Sequence, residues 1–528
     1  MGKEVRKSIE VLASDEGFET ALAFVEEVLS RTSVNCQIAY ETTLVFETVF
    51  SAMLRQGLDP NSTVTISLEN NLNGISLKIV YEGKQFTSPD DKADLELENR
   101  LLENYADKVS HNYRSGYNTI RISVSKKQRT FLISCGVGIL VALVAYAIIS
   151  VLVDPVEQTA LLDNYIFPFE QVFANAILMV GAPATFFSLM KNSSDAVVTS
   201  ERILNARRLH IKSFATSVFA TLLALLLSIM LTQSLWDLRG HGSLITGRNA
   251  DWGLADIVVS AVPPSIFQPF ETISPIPLIV VALLLTYALV SAGKDFDVLK
   301  RAIDVCYGVF SRMLSAVMFL IPVAYSLAVL DILIKGGYKA LLYMAAFLFF
   351  VVICTLVLLG TYAIRLKIKG IQVVPFAKKL APLLRENRTI GSAIDAAPYN
   401  VRYCVKHYGM DRSRISRVLP LLSQINRDAN CFYLILIAIL FIFSSGVDAS
   451  ILNVVVICVM SVFLSFGAPN QPGTMLIGTL MITNYLNSFE MICIAICLEV
   501  FLGGLQNLVN VIGDIVMTAE EEGAHYAE

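Results

Sequence analysis

From about Thr130 onward the chain is a succession of apolar runs of roughly twenty residues, divided by short polar stretches. An α-helix of that length crosses the hydrocarbon core of a bilayer and satisfies its own backbone polar groups, which lipid cannot do. The first run extends from about Thr130 to Leu152, with Lys126, Lys127 and Arg129 before it and Asp154, Glu157 and Asp163 after it. The second, PFEQVFANAILMVGAPATFFSLM, covers Pro168 to Met190 and precedes Lys191, Arg202, Arg207, Arg208 and Lys212. The third, FATSVFATLLALLLSIML, ends near Leu231, and a long loop from Thr232 to Pro275 leads to the fourth, IPLIVVALLLTYALVSAG. Lys294, Lys300 and Arg301 follow. The fifth extends from about Cys306 to Ile334, amphipathic at first. The sixth, LLYMAAFLFFVVICTLVLLGTYAI, is closed by Arg365, Lys367 and Lys369. Basic residues recur on alternate sides, which predicts six ordinary spans and a cytoplasmic N-terminus.

Composition supports the membrane class: 55% of the 528 residues are hydrophobic and 16% charged, against about 25% charged in soluble domains. The net charge of -4 gives no sign of a nucleic-acid partner; the expected surroundings are the lipid bilayer of a cell inner membrane. The opening MGKEVRKSIEVLASDEGF has no apolar signal core, and its Met-Gly lacks a convincing myristoylation context. The nine cysteines are scattered and form no metal-ligand array; Cys493 and Cys497, one helical turn apart, read as apolar packing.

Residues 1–125 read as a cytoplasmic α+β regulatory domain, one that would take its own regulatory partner. IEVLASDEGFETALAFVEEVLS and CQIAYETTLVFETVFSAMLRQG have helical periodicity. STVTISLE and GISLKIVYEG alternate like strands and are joined through NNLNG, a hairpin signal. A charged helix, DDKADLELENRLLENYADKVS, precedes a last strand, YNTIRISVS. The order resembles the histidine-kinase-like ATPase fold in its small anti-sigma-factor version. In LVFETVFSAMLRQG the family's Glu is kept as Glu47, but Ser51 stands where Asn is expected. In VYEGKQF, Gly83 is kept and Tyr81 replaces Asp, and the glycine-rich lid is missing. The resemblance therefore implies a degenerate domain without the usual nucleotide contacts; a generic α+β regulatory domain is the plainer alternative.

Regular spans stop after Lys369. Residues 371–523 hold two interrupted segments, VVPFAKKLAPLLRENRTIGSAIDAAPYNVRYCVKHYGM and SILNVVVICVMSVFLSFGAPNQPGTMLIGTLMITNYL, the second broken at Gly467–Gly473. Each precedes a helix with a polar centre, LPLLSQINRDANCFYLILIAILFIF and CLEVFLGGLQNLVNVIGDIVMTAEEEG. Paired broken segments of this kind point to a transporter with inverted repeats and a site near the midplane. On the last helix Glu499, Gln506, Asn510 and Asp514 share a face, with Gly503 between them and Asn507 beside them. Ionisable groups at membrane depth face a bundle interior or a solute path; a helix-end role or interhelical hydrogen bonding is the alternative.

Residues 129–523 resemble the dicarboxylate/amino acid:cation symporters, the glutamate-transporter family. LVNVIGDIVMTA is similar to that family's final-helix ending, QINRDAN to its Asn-Met-Asp-Gly-Thr, and GAPNQPG to its second hairpin turn. PFEQVFANAILMVGAPATFFSLM fits the second helix. The implied fold is a multi-span α-helical membrane protein, glutamate-transporter-like, with two re-entrant helical hairpins. Residues 126–370 would form mainly a scaffold, 371–523 a transport core and 524–528 a tail. The implied activity is elevator-type symport of a small organic solute by a homotrimer. The resemblance carries cation (sodium) ligands onto Thr216, Ser217, Asn426, Asp428, Asn510 and Asp514. A polar helix kink is the plainer reading of Asn426 and Asp428.

The departures fall on the substrate positions. Gly503 and Gln506 stand where the family has an Asp for the substrate amine and an Arg for its side-chain carboxylate. Ser392 is the sole serine of the first hairpin tip, beside an added acid, Asp395, and Asn470 and Gln471 replace small residues at the second tip. The candidate solute-binding set is therefore Ser392, Asp395, Asn430, Asn470, Gln471, Glu499, Gly503, Gln506, Asn507 and Asn510. It is rich in amides and argues against an acidic amino acid, since a desolvated charge without a counter-charge is disfavoured. Arg427 replaces a methionine among the cation positions; it is either a fixed surrogate for a cation or a structural partner of Asp395 or Asp428. Coupling to sodium or, through Glu499, to protons is expected, with no other cofactor and no catalytic residue. A membrane sensor signalling through residues 1–125 is the alternative function; an ATP-driven enzyme lacks its nucleotide residues.

Overall fold

A computed structural model describes residues 8–30, 36–55, 58, 62–71, 74–83, 109–114, 116–124, 129–202, 206–235, 254–291, 296–387, 393–445, 450–469, 471, 473–486 and 491–522. The chain divides into two compact units. The first comprises residues 1–129, 381–389 and 395–420, and the second the remainder.

The first unit contains an antiparallel sheet of β1 (Ser8–Leu12), β2 (Thr63–Asn71), β3 (Gly74–Glu82), β4 (Val109–Arg114) and β5 (Tyr117–Val124), in the order β1-β2-β3-β5-β4. The β2–β3 hairpin pairs Asn71 with Gly74 and Val64 with Tyr81. Side chains at alternate positions point to one face. Val64, Ile66, Leu77, Ile79, Tyr81, Ile120 and Ile122 are therefore buried together, against Ala21, Val25 and Leu29 of α1 (Asp15–Ser30) and Val45, Phe46, Val49, Phe50 and Met53 of α2 (Cys36–Arg55). Both helices and the hairpin match the sequence reading. Two boundaries do not. Ile9–Leu12 is strand and not helix: Ile9 and Val11 alternate, and β1 pairs with β2 before Ser14 turns the chain and its Oγ accepts from Gly17 N at 3.1 Å. The charged helix falls mostly outside the described residues, but its last two, Val109 and Ser110, belong to β4, held by pairing with β5.

In the membrane part, α3 is Arg129–Leu152, α4 Pro155–Leu161, and a π-helical turn at Leu162–Ile166 leads into α5 (Phe167–Arg202). Then come α6 (Ala206–Leu235), α7 (Leu254–Ala261), α8 (Gln268–Glu271), α9 (Pro275–Val290), α10 (Phe296–Met318) and α11 (Ile321–Ile368). The last third consists of α12 (Val373–Asn387), α13 (Ala393–Tyr408), α14 (Arg412–Ile425), α15 (Asp428–Ser445), α16 (Ile451–Phe466), α17 (Thr474–Tyr485) and α18 (Ile492–Glu522); of these, residues 381–387 of α12, 395–408 of α13 and 412–420 of α14 belong to the first unit. Among the described residues, six helical segments are long and apolar enough to cross a membrane: 134–152, 155–195, 207–230, 321–368, 414–442 and 492–522. The protein is thus multi-pass.

The number equals the expected six ordinary spans, but the membership differs. The fourth expected span, α9, has only 16 residues. The fifth, expected over Cys306–Ile334, is divided at Phe319–Leu320, where Pro322 opens α11; proline lacks an N–H and fits a first turn. Its second half is joined to the sixth through Gly337, whose φ of 62° favours glycine. The polar-centred helices supply the other two long segments.

Candidate functional site

Four helices of the second unit build the site, α6, α11, α15 and α18, with the end of α14 leading in. α14 ends at Ile425 and α15 begins at Asp428, so Asn426 and Arg427 lie in a break between two helices. α15 packs on α6 and α18, and α18 packs on α11. The break exposes backbone and puts three polar residues in succession at the crossing. Ser213 Oγ donates to the Ile425 carbonyl at 2.8 Å, and the Ala429 N–H donates to Asn510 Oδ1 at 3.1 Å. The helix interruption is therefore satisfied by side chains from neighbouring helices, as buried backbone requires.

The predicted cation positions converge. Asp428 Oδ1 accepts from Ser217 Oγ at 2.9 Å and its Oδ2 from Tyr362 OH at 3.3 Å. Asn426 Nδ2 donates to Asp514 Oδ1 at 2.9 Å. Asn426, Asp428, Asn510, Asp514 and Ser217 are all buried. Two of their oxygens, Asn426 Oδ1 and Asp514 Oδ2, accept no hydrogen bond. Gly513 permits this closeness: a Cβ there would meet Asn426 Nδ2 at 2.7 Å and Tyr362 OH at 3.1 Å. Thr216 is half-buried; its hydroxyl donates to the Ser213 carbonyl at 2.9 Å, and with Tyr362, Arg365 and Asp428 it lines a cleft of about 410 Å³. Arg427 is buried in the same break, and the Asp514 carboxylate is the opposing charge it faces.

The amides form a second cluster. Asn430 Oδ1 accepts from Gln506 Nε2 at 2.5 Å and from Asn510 Nδ2 at 2.7 Å, with all three side chains buried. Asn510 thus joins the two groups.

Other predicted residues stand apart. Glu499 is a cap and not an open ligand: its Oε1 accepts from Gly473 N at 3.0 Å and its Oε2 from Leu476 N at 2.7 Å, at the start of α17. A carboxylate is favoured there by the unpaired amides and the helix dipole. Gly473, with φ of 92°, makes the turn that presents the first amide. Gly503 makes room for Glu499, since a Cβ there would lie 2.8 Å from Glu499 Oε1. Gln471 Oε1 accepts from Ser315 Oγ on α10 at 2.9 Å, away from the amide cluster. Asn507 is half-buried. Ser392 and Asn470 lie outside the described residues, as does the side chain of Asp395.

Sequence reasoning missed Tyr362, Ser213 and an ion-pair network at the end of α18. Arg365 binds Glu520 through two hydrogen bonds, 2.8 and 3.0 Å, and Lys212 reaches Glu520 and Glu521 at 2.7 Å each. Arg365 and Lys212 were legible only as basic loop residues; the run TAEEEG that ends α18 was the signal for their partners.

In the first unit, Glu47 is not free for a metal-bound nucleotide. Arg402 of α13 lies 2.6 Å from Glu47 Oε1 and 3.4 Å from Glu26 Oε1. Burial raises the Glu47 carboxyl above the ordinary carboxylate range, outweighing the pull of the Arg402 guanidinium. Tyr81 sits in the sheet core, and burial pushes its hydroxyl up.

A multi-pass membrane protein with a broken helix crossing a polar final helix is the class these features define. The profile of the sodium:dicarboxylate symporter family matches residues 130–520, and the chain belongs to that family. It is a family of transporters and not of enzymes. Similar curated proteins are the C4-dicarboxylate transport protein 1 of Pseudomonas aeruginosa (strain UCBPP-PA14), 23% identical over 283 residues, which cover 53% of this chain and 63% of that protein. The protein of the same name from Pseudomonas paraeruginosa (strain DSM 24068 / PA7) is 24% identical over 329 residues, 59% of this chain and 73% of that protein. The chain thus spans just under two thirds of the length of the first of these.

Proposed function

We propose that the protein is a secondary transporter that moves a small organic solute by symport with a cation. The supporting observation is the pair of buried oxygens, Asn426 Oδ1 and Asp514 Oδ2, that lack hydrogen-bond donors beside Asp428 and Asn510. A buried acceptor without a donor is costly unless a cation completes it. Carboxylate, amide and hydroxyl oxygens are hard donors suited to sodium. Arg427 in the same break either fills part of that role as a fixed positive charge or pairs structurally with Asp514.

The solute reading combines the amide cluster with two departures. The relatives are named for C4-dicarboxylates, but Gly503 offers no acid for an amine and Gln506 no cation for a distal carboxylate. Glu499 already occupies the α17 amides. A solute recognised through Asn430, Gln506 and Asn510, and other than an acidic amino acid, fits best. We take α12–α13 and α16–α17 as re-entrant hairpins of an elevator-type transport core. The expected assembly is a homotrimer in the cell inner membrane with its N-terminus cytoplasmic.

The test is uptake by proteoliposomes holding the full chain, with succinate, aspartate, glutamine and alanine as probes, with and without a sodium gradient. Uptake of a neutral probe above the charged ones supports the reading. Full sodium dependence would rule out Arg427 as a surrogate, and aspartate as the preferred solute would overturn the specificity argument. One observation favours a second reading, a sensor: Arg402 ties α13 to Glu47 and Glu26 of the sheet domain. Saturable probe binding without flux would favour it.

A further inference from the structure

We propose that Glu170 and Asp331 share one proton, forming a buried proton-binding site where α5, α11 and α18 meet. This site is separate from the Asn426–Asp514 crossing and does not depend on which solute is moved. Glu170 and Asp331 are fully buried, and one carboxylate oxygen of each lies with Cys493 Sγ in a group whose members are within 4.8 Å of one another. Lys335 Nζ, one turn after Asp331, lies 2.9 Å from each of the Asp331 oxygens and over the Phe167 ring. Neither oxygen of Glu170 has a hydrogen-bond partner.

Charge counting decides the state. The groups facing Glu170 are Asp331 and Lys335 from α11 and the thiols of Cys493 and Cys497 from α18. With both acids ionised, one ammonium leaves a net negative charge in a buried place where Glu170 has no donor, which is strongly disfavoured. Two carboxyls this close ionise together only with difficulty, and one proton between them removes the repulsion. The proton makes Glu170 a donor toward Asp331 while Lys335 neutralises Asp331. A metal ion fits less well: the Lys335 ammonium already sits on Asp331, and the remaining donors are one carboxyl and a thiol.

Infrared spectra of the full chain in lipid nanodiscs test this at neutral pH. The wild type is expected to show the C=O stretch of a buried protonated carboxyl, lost in Glu170→Gln. Asp331→Asn should lose it as well, because Lys335 then pairs with an ionised Glu170. Thermal unfolding supplies a second readout: the wild type loses stability as pH rises above the ordinary carboxylate value, because only the folded state keeps the proton, and Glu170→Gln does not. A band absent from the wild type, or present unchanged in both variants, overturns the proposal. So does a sodium titration at alkaline pH that shifts the carboxylate bands in the wild type but not in Glu170→Gln, since it would identify a metal site. If Glu170→Gln fails to fold, the Asp331→Asn spectrum alone decides.

Discussion

Glu499 and Asp514 lie on the same face of α18, about four turns apart, and both are buried. Their surroundings differ: Asp514 faces the Arg427 guanidinium and, among the described residues, Glu499 faces no cation, and their hydrogen bonds differ too. Each Glu499 oxygen accepts a backbone N–H from the start of α17. Asp514 has one oxygen on Asn426 and the other without a donor. A carboxylate whose acceptors are filled by its own fold stabilises that fold. A carboxylate left open is available to something the chain does not supply. Two acids with the same address in the sequence therefore take different roles, and their partners separate them.

Asp514→Asn should give the largest effect. It removes the charge but keeps the shape, so sodium-dependent thermal stabilisation of the full chain should weaken about a hundredfold in apparent affinity, ~3 kcal/mol. Asn426→Ala acts in the same direction, and the two should be non-additive because they share a hydrogen bond. An unchanged sodium response in Asp514→Asn would mean that the open oxygen is not a ligand.

Glu499→Ala comes next and tests the other side of the contrast. Two buried amides lose their acceptor, which costs about 1–3 kcal/mol of stability. The sodium response should persist. Glu499→Gln should fall between, since one oxygen still accepts. If Glu499→Gln left stability untouched but abolished pH-dependent uptake, Glu499 would be a coupling residue and the contrast would fail.

The contrast marks what the sequence could carry. Apolar length and basic flanks located the long helices, and polar residues at one helical spacing located the inward face of α18. Asn426, Arg427 and Asp428 stood out as polar residues inside an apolar run, which reads as the centre of one helix; that the helix breaks there into α14 and α15 corresponds only to the plainer kink alternative. What a periodicity cannot encode is which atom faces which. Glu499 looked like a solute ligand because its partners, Gly473 and Leu476, are backbone amides more than twenty residues away. The division of the fifth span at Phe319–Leu320 was masked because apolar residues continue through it. The Ile9–Leu12 strand is hidden in the sequence because its four residues merge into the helical pattern of α1.

Gly503→Ala is a smaller perturbation of the Glu499 cap. The added Cβ would lie 2.8 Å from Glu499 Oε1, so the carboxylate must shift from the α17 amides, at a cost of about 1–2 kcal/mol. Gly503→Asp adds a like charge at the same place and should destabilise more. Melting temperatures of the two variants beside Glu499→Ala decide this: if Gly503→Ala costs as much in the Glu499→Ala background as alone, the glycine is not there for the cap.

The smallest effect belongs to the first unit, where a carboxylate is satisfied by an ion pair instead of by amides. The Arg402 side chain is 34% exposed, and a pair this open contributes less than about 1 kcal/mol. Arg402→Ala should therefore leave the melting temperature nearly unchanged. The pH dependence is more telling. The Glu47 carboxyl is raised on folding, so its contribution to stability is complete below its unfolded value and declines as pH rises through the folded one. Glu47→Gln should flatten that decline as pH rises above the ordinary carboxylate value. A wild-type stability that instead climbs across that range, with the climb removed in Glu47→Gln, would mean that Arg402 outweighs burial. Glu47 would then belong with the filled carboxylates such as Glu499, held by its partner and not strained by its surroundings.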